Sequence, residues 1–287
     1  MKIITSVAAA QKYAAQLKSR GKTVGLVPTM GALHDGHASL IKRAARENDA
    51  AVVSIFVNPA QFGPKEDFKN YPRTFARDKA VCRKAGAEAI FFPSAKDMYP
   101  EGFAANVVVG GLSEKYCGAS RPHHFDGVAT VISKLFNITR PTRAYFGQKD
   151  YQQLKIIERL ARALNFPVKI VACPTAREKS GLAMSSRNAR LSAPERERAA
   201  AIYRIISAAK KNPSRFAGAD GSRLPSPRIL ERKIRGALGK IPSARVEYVA
   251  ATDSATLETL RSIPRGTSKW RILIAVKMGG TRLIDNV

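Results

Sequence analysis

The segment Pro28-Thr29-Met30-Gly31-Ala32-Leu33-His34-Asp35-Gly36-His37 carries the densest chemistry in the sequence. An apolar run at 23–27 precedes it and reads as a strand, and a helical pattern follows from His37 to about Asn48. The segment is therefore a loop at a helix N-terminus. Backbone N–H groups and the positive end of a helix dipole favour a phosphate there. Two imidazoles three residues apart face the same side of a first helical turn. They can donate hydrogen bonds to phosphoryl oxygens as charge moves onto a pyrophosphate leaving group. Gly31 suits a tight turn and Gly36 permits close approach of a nucleotide. Taken alone, two histidines so spaced could equally cap a surface helix. A zinc site would need further ligands, and the chain holds only His34, His37, His123 and His124 as imidazoles.

A second element, Ala183-Met184-Ser185-Ser186-Arg187-Asn188, places two hydroxyls before a guanidinium, a set that suits phosphate oxygens. By itself it could be a solvated loop or a helix cap. Together, an HxGH element early and an MSSR element late recur in a superfamily of nucleotide-transferring enzymes that act on an α-phosphate. No GxxxxGK[ST] loop and no GxGxxG after the first strand are present, so P-loop phosphoryl transfer and dinucleotide redox chemistry lose support.

Four further segments narrow the reading: SIFVNPAQF at 54–62, YPRT at 71–74, HFDGV at 124–128 and FGQKDYQQL at 146–154. With PTMGALHDGH and MSSRN, in the same order, the set resembles the pantothenate synthetase (pantoate–β-alanine ligase) family. The resemblance implies condensation of pantoate with β-alanine through a pantoyl-adenylate, using ATP and Mg²⁺ and releasing AMP and pyrophosphate. It also implies a Rossmann-like domain with a smaller C-terminal lid, in a cytoplasmic homodimer.

Carried onto this sequence, Met30, Gly31, Ala32, Leu33, His34, Asp35, Gly36 and His37 would line ATP, with His37 as proton donor and His34 beside it. Gly147, Gln148, Lys149 and Asp150 would also bind ATP, Lys149 on its phosphates. Ala176 would meet adenine through its backbone, and Met184, Ser185, Ser186 and Arg187 would close over the phosphates. Gln61 and Gln153 would hold pantoate, and Gln61 would also meet β-alanine. No protein ligand to the metal is implied. The sequence departs from the family pattern at Ala176 (often Val), Ser180 (often Asp), His123 (commonly Gly) and Gln148 (more often Glu). Ser180 bears on how the loop before Met184 is anchored. Two other readings stay open on the residues: a nucleotidyltransferase that keeps the nucleotide in its product, and a basic nucleic-acid-binding protein without turnover.

These residues need elements to position them. Runs at 50–57, 88–92, 143–146 and 168–172 read as strands. Patterns at 6–20, 74–85, 125–137 and 151–164 read as helices. Continuous β-branched runs such as AAVVSIFV suit parallel strands covered on both faces. The alternation predicts an α/β fold, a Rossmann-like parallel sheet with covering helices. Residues 93–122 read as irregular, with 107–109 a possible strand. Ligands in such sheets sit beyond the carboxyl ends of the strands, so one crevice should collect the loops after Val27, Val57 and Phe146. After about 176 the texture changes. Helices at 194–209 and 228–238 and strands at 245–251 and 271–278 predict a smaller α+β domain. The division is 1–175, catalytic, and 176–287, lid. The Gly/Ser/Pro-rich stretch 212–227 reads as mobile.

Length and composition agree. The 287 residues, 45% hydrophobic and 25% charged, suit a folded chain with a sizeable core. No apolar stretch reaches the roughly 18–20 residues of a membrane span. The first residues read as ordinary structure, not a secretory leader. Three separated cysteines predict buried thiols in a reducing compartment. The net charge of +27 divides as +14 over 1–186 and +13 over 187–287. So spread an excess can accompany an anionic substrate, a nucleic-acid partner or simply a basic proteome. No run of five basic residues occurs, and nucleic acid is not an expected partner.

Overall fold

The computed structural model describes residues 1–64, 66–217 and 224–287. The chain divides into two compact units, Met1–Gln148 with Gln152–Pro174, and Lys149–Tyr151 with Thr175–Val287. Thr175 and the 149–151 stretch thus group with the carboxy-terminal part, which the division at 175/176 did not anticipate.

In the first unit the order is β1 (Lys2–Ile4), α1 (Val7–Ser19), β2 (Val24–Thr29), α2 (Asp35–Glu47), β3 (Ala50–Ile55), α3 (Phe75–Lys84) and β4 (Ala89–Phe91). The short helices α4 (Ala95–Met98) and α5 (Cys117–Ser120) follow, then α6 (His124–Thr139), β5 (Arg143–Gly147), α7 (Tyr151–Ala163) and β6 (Lys169–Cys173). The six strands are all parallel, in the order β1-β4-β3-β2-β5-β6. All six residues of β3 are buried, as a strand covered on both faces requires. Val27, Leu33, Ile41, Val53, Ile90 and Tyr145 form the centre of one core. The strand order reverses between β2 and β5, and β3 flanks β2. The loops after β2, β3 and β5 therefore leave neighbouring carboxyl ends at a topological switch point.

Two details differ from the pattern reading. Edge strand β1 was not foreseen, because three residues carry no period. The stretch 107–109 is not a strand: the Val107 N–H donates to the Thr130 hydroxyl at 2.9 Å, not to a ladder.

In the second unit α8 (Ala193–Lys211) and α9 (Pro227–Gly239) cover an antiparallel sheet of β7 (Ala244–Asp253), β8 (Trp270–Met278) and β9 (Thr281–Asn286). Leu230, Ile234 and Leu238 recur at helical spacing on α9. They pack with Ile202, Ile206 and Trp270. Strand β9 was missed because Gly279–Gly280 read as the end of structure; it is the turn of a hairpin. Of the stretch expected to be mobile, Pro213–Phe216 is a 3₁₀ turn, and 218–223 lie outside the described residues. Among the described residues no helix is long and apolar enough to cross a membrane.

Candidate active site

The loop after β2 is held from beneath by one carboxylate. Asp78, on α3 and 1% exposed, accepts the N–H groups of Ala32 at 3.0 Å and Leu33 at 2.8 Å. The Thr74 hydroxyl donates to the same carboxylate at 3.1 Å. Gly31 has φ +84° and Ala32 φ +49°, so this turn suits Gly at 31 and tolerates Ala only as a strained residue.

His34 is the N-cap of α2, and its Nδ1 accepts the Gly36 N–H at 3.1 Å. His37 Nδ1 accepts the His34 N–H at 3.3 Å, which closes a capping box built from two histidines. The rings lie 4.1 Å apart between centroids. Of the two readings the sequence left open, the structure shows the capping contacts. With both Nδ1 atoms accepting, a neutral ring carries its proton on Nε2. One sequence expectation changes. The backbone N–H groups of Gly31, Ala32, Leu33, His34 and Gly36 all have acceptors within the protein. These five N–H groups are therefore engaged in holding the loop.

The turn after β3 holds Gln61. Asn58, 1% exposed, caps the 3₁₀ turn Pro59–Gln61. Its amide donates to Gln61 Oε1 at 3.1 Å and to the Gly127 carbonyl at 3.0 Å, and its Oδ1 accepts the Tyr99 hydroxyl at 2.7 Å. Burial pushes the Tyr99 phenol up to about 12, so it stays a donor. Gln61 Nε2 in turn donates to Met30 Sδ at 3.1 Å, which brings two predicted residues together.

The HFDG motif supports this turn from α6. His124 Nδ1–H donates to the Gln61 carbonyl at 2.8 Å, and Arg121 meets His124 Nε2 at 2.9 Å. Arg121 also grips Glu66 with two nitrogens. Burial raises the Glu66 carboxyl, but Arg121 outweighs it and the group sits below the usual carboxylate range. A Cβ at Gly127 would collide with the Ala60 carbonyl oxygen, so only glycine lets α6 approach. At the N-cap of the same helix, His123 has φ +62°, a left-handed conformation that glycine adopts at less cost.

Beyond β5, Gly147 runs into the 3₁₀ turn Gln148–Asp150. Lys149 Nζ stands 3.8 Å from Asp150 Oδ1. Of the two glutamines on α7, Gln152 is buried. It accepts the Cys117 N–H and donates to the Leu112 and Lys115 carbonyls. Gln153 is half-buried and makes no side-chain hydrogen bond among the described residues, so it is the one available to a ligand.

Within the second unit the Met184 N–H donates to the Ala176 carbonyl at 2.9 Å, which joins two predicted segments. Ser185 caps the 3₁₀ turn Ser186–Arg190 through the Arg187 N–H at 3.2 Å. Buried Asn188 donates to Glu178 Oε1 at 2.9 Å and to the Ala183 carbonyl at 3.0 Å, and Arg196 clasps Glu178 from outside. Burial raises Glu178, but Arg196 and Asn188 hold it below the ordinary range. Ser180 does serve the loop: its hydroxyl accepts the Leu182 N–H at 3.4 Å.

The residues to which the sequence assigned no role, Asn58, Asp78, Arg121, His124 and Asn188, mostly sit inside motifs already picked out. For Asn58 the signal was a polar residue in the otherwise apolar run IFVN, while Asp78 and Arg121 lie outside the motifs. Covalent cysteine chemistry has no support at Cys82, since burial, then Asp78, pushes its thiol to about 12.

A family model described as pantoate-beta-alanine ligase matches residues 2–287. The pantothenate synthetase of Moorella thermoacetica is 46% identical over 291 residues, with 100% of this chain and 98% of the relative covered. That of a Sulfurihydrogenibium species is 46% identical over 288 residues, covering 100% and 99%. Among solved structures, pantothenate synthetase from Thermus thermophilus superposes with a TM-score of 0.90 at 42% identity, covering 100% and 99%. The ligase from Francisella tularensis, complexed with beta-gamma ATP and beta-alanine, gives 0.79 at 35% identity, covering 100% and 97%. With a family model matched along its length and relatives at nearly half identity over the whole chain, this protein belongs to the pantoate–β-alanine ligase family.

Proposed function

We propose that the protein condenses pantoate with β-alanine to pantothenate at the expense of ATP, through an acyl-adenylate. The observation that carries the reading is the His34–His37 pair, whose shared capping box sets both rings as Nε2–H donors at the exit of β2. A pantoate carboxylate oxygen attacks the α-phosphorus and pyrophosphate leaves. The β-alanine amine then attacks the acyl carbon, the C–O bond to phosphate breaks, and AMP departs with that oxygen. Both partners of the first step are anions, so donors must offset their repulsion. His34, His37, Lys149, Ser185, Ser186 and Arg187 take that role toward the phosphates.

Gln61, with its oxygen turned to Asn58 and one N–H on Met30, has a second N–H for a pantoate oxygen, and Gln153 offers another neutral amide. Buried amides penalise analogues that lack the hydroxyls.

Magnesium enters this scheme with ATP. Among the described residues no three His, Cys, Asp or Glu side chains cluster to hold an ion. Asp78, the carboxylate at the loop, already accepts N–H groups on both oxygens. In this reading the cation is carried on phosphate and water oxygens, as Mg²⁺ commonly is. The same reading takes the working form as a cytoplasmic homodimer. The described cysteines are all free and buried, which suits a reducing compartment.

The test is AMP and pyrophosphate release from MgATP, with pantoate alone and with β-alanine added. Multiple turnovers only with both, after a burst of at most one equivalent with pantoate alone, are expected. A nucleotide retained in the product would overturn the ligase in favour of a nucleotidyltransferase.

A further inference from the structure

The last strand of the second unit ends on Asp285 and Asn286, and neither side chain faces water: they are 6% and 4% exposed. Asn286 Nδ2 donates to the backbone carbonyl of Lys149 at 2.9 Å. Its Oδ1 accepts from Arg271 Nη1 at 2.7 Å. A guanidinium can only donate, so Arg271 fixes which end of the amide faces it and turns the NH₂ toward Lys149. The Arg271 guanidinium lies 3.9 Å over the ring of Tyr151, two residues beyond Lys149, and the Tyr151 hydroxyl donates to the Ser254 carbonyl at 2.8 Å.

Asp285 does a parallel job. Both its oxygens accept from Arg177, at 2.7 and 2.9 Å. Arg177 also donates to the Gly181 carbonyl at 3.1 Å, stacks on Tyr203 and bridges to Ala183. The hairpin so held delivers Met184 and the 185–187 turn.

We infer that Asp285 and Asn286 are positioning residues that set the spacing between the two phosphate-gripping segments of the second unit, Asn286 by clasping the Lys149 main chain. The inference rests on the proposed role of Lys149 toward ATP. It deepens that role, because the lysine ammonium is aimed by the last strand of the chain.

Asn286→Asp keeps the oxygen facing Arg271 and removes the donor facing Lys149. It should lower kcat/KM for ATP by about tenfold, the size of one buried hydrogen bond with a carbonyl left unsatisfied. KM for pantoate should stay within about twofold, since a remote contact adds independently. The decisive measurement repeats the substitution in a Lys149→Ala background at high enzyme concentration. If Asn286 acts through Lys149, the further loss there is under about twofold. The same fold-loss in both backgrounds, or an unchanged kcat/KM for ATP in the single variant, overturns the inference. If Asn286→Asp does not fold, Arg271→Lys replaces it. That change weakens the hold on the Asn286 amide and on Tyr151, and should give the same pattern at smaller size. If Lys149→Ala itself leaves ATP turnover intact, the proposed role of Lys149 falls and this inference with it. A silent Asn286→Asp beside an impaired Lys149→Ala overturns this inference alone.

Discussion

The turns at 30–37 and 58–61 in the first unit and the turn at 184–188 in the second are held in different ways. In the first unit the supports are buried and fully used. Asp78 and Asn58 are each 1% exposed, and each engages three or more polar partners. In the second unit Asn188 is buried with its Oδ1 unsatisfied among the described residues. The outer support is the Arg196–Glu178 pair, whose arginine side chain is 53% exposed. Buried, satisfied networks fix one geometry, while exposed ion pairs contribute little and weaken in salt.

Substitutions can break or sharpen that contrast. The largest effect belongs to His37→Ala, which removes the donor proposed for the reacting phosphates and should lower AMP formation by about 10²–10³-fold. His37→Asn keeps an acceptor for the His34 N–H but loses the outer donor. A rate close to that of His37→Ala, with Tm restored toward wild type, would separate the cap from the chemistry. Next, Asp78→Ala strands two buried N–H groups and should cost about 2–4 kcal/mol, read as a drop in Tm together with lost activity. Arg196→Ala, the counterpart in the second unit, should cost under about 1 kcal/mol and reduce turnover only a few-fold. Its deficit should shrink at high salt, which screens the pair in the wild type too. An Arg196→Ala loss as large as that of Asp78→Ala would remove the distinction.

The smallest effect concerns pH. Lys210 lies buried over the Trp270 ring, 3.6 Å from its centroid, and bonds the Trp270 carbonyl. Burial, and then the neighbouring Arg271, pushes its ammonium from 10.5 to about 7. The unfolded chain therefore holds a proton that the folded chain releases between about pH 7 and 10.5. Stability of the second unit should rise as pH increases through that window. Lys210→Met should flatten the rise in Tm between about pH 7 and 9.5.

Much of this was legible in the sequence. The continuous β-branched run AAVVSI reads as a doubly covered strand and is one, and β2, β3 and β5 deliver their loops to one edge. The residues of the candidate site entered through motifs: the imidazole pair and the Ser-Ser-Arg element by their chemistry, and the amides and Lys149 through the family resemblance those motifs carry. Their supports were not legible. Asp78 lies 45 residues from the Leu33 N–H it accepts, and no local spacing reports that contact. Nor does a sequence say which nitrogen of a histidine turns inward. The capping box of His34 and His37 became visible only with coordinates. Strands β1 and β9 escaped for the opposite reason: one is too short to show a period, and the other follows two glycines that resemble an end.

The central claim is that a pantoate oxygen is joined to the α-phosphorus before the amide forms. Pantoate labelled with ¹⁸O in its carboxylate, turned over with MgATP and β-alanine, tests this directly by mass spectrometry of the AMP. One labelled oxygen per AMP, and none in pyrophosphate, is the result this chemistry predicts. Unlabelled AMP alongside pantothenate would mean that the carboxylate is activated by some other route, and would contradict the roles proposed for His34, His37 and Lys149.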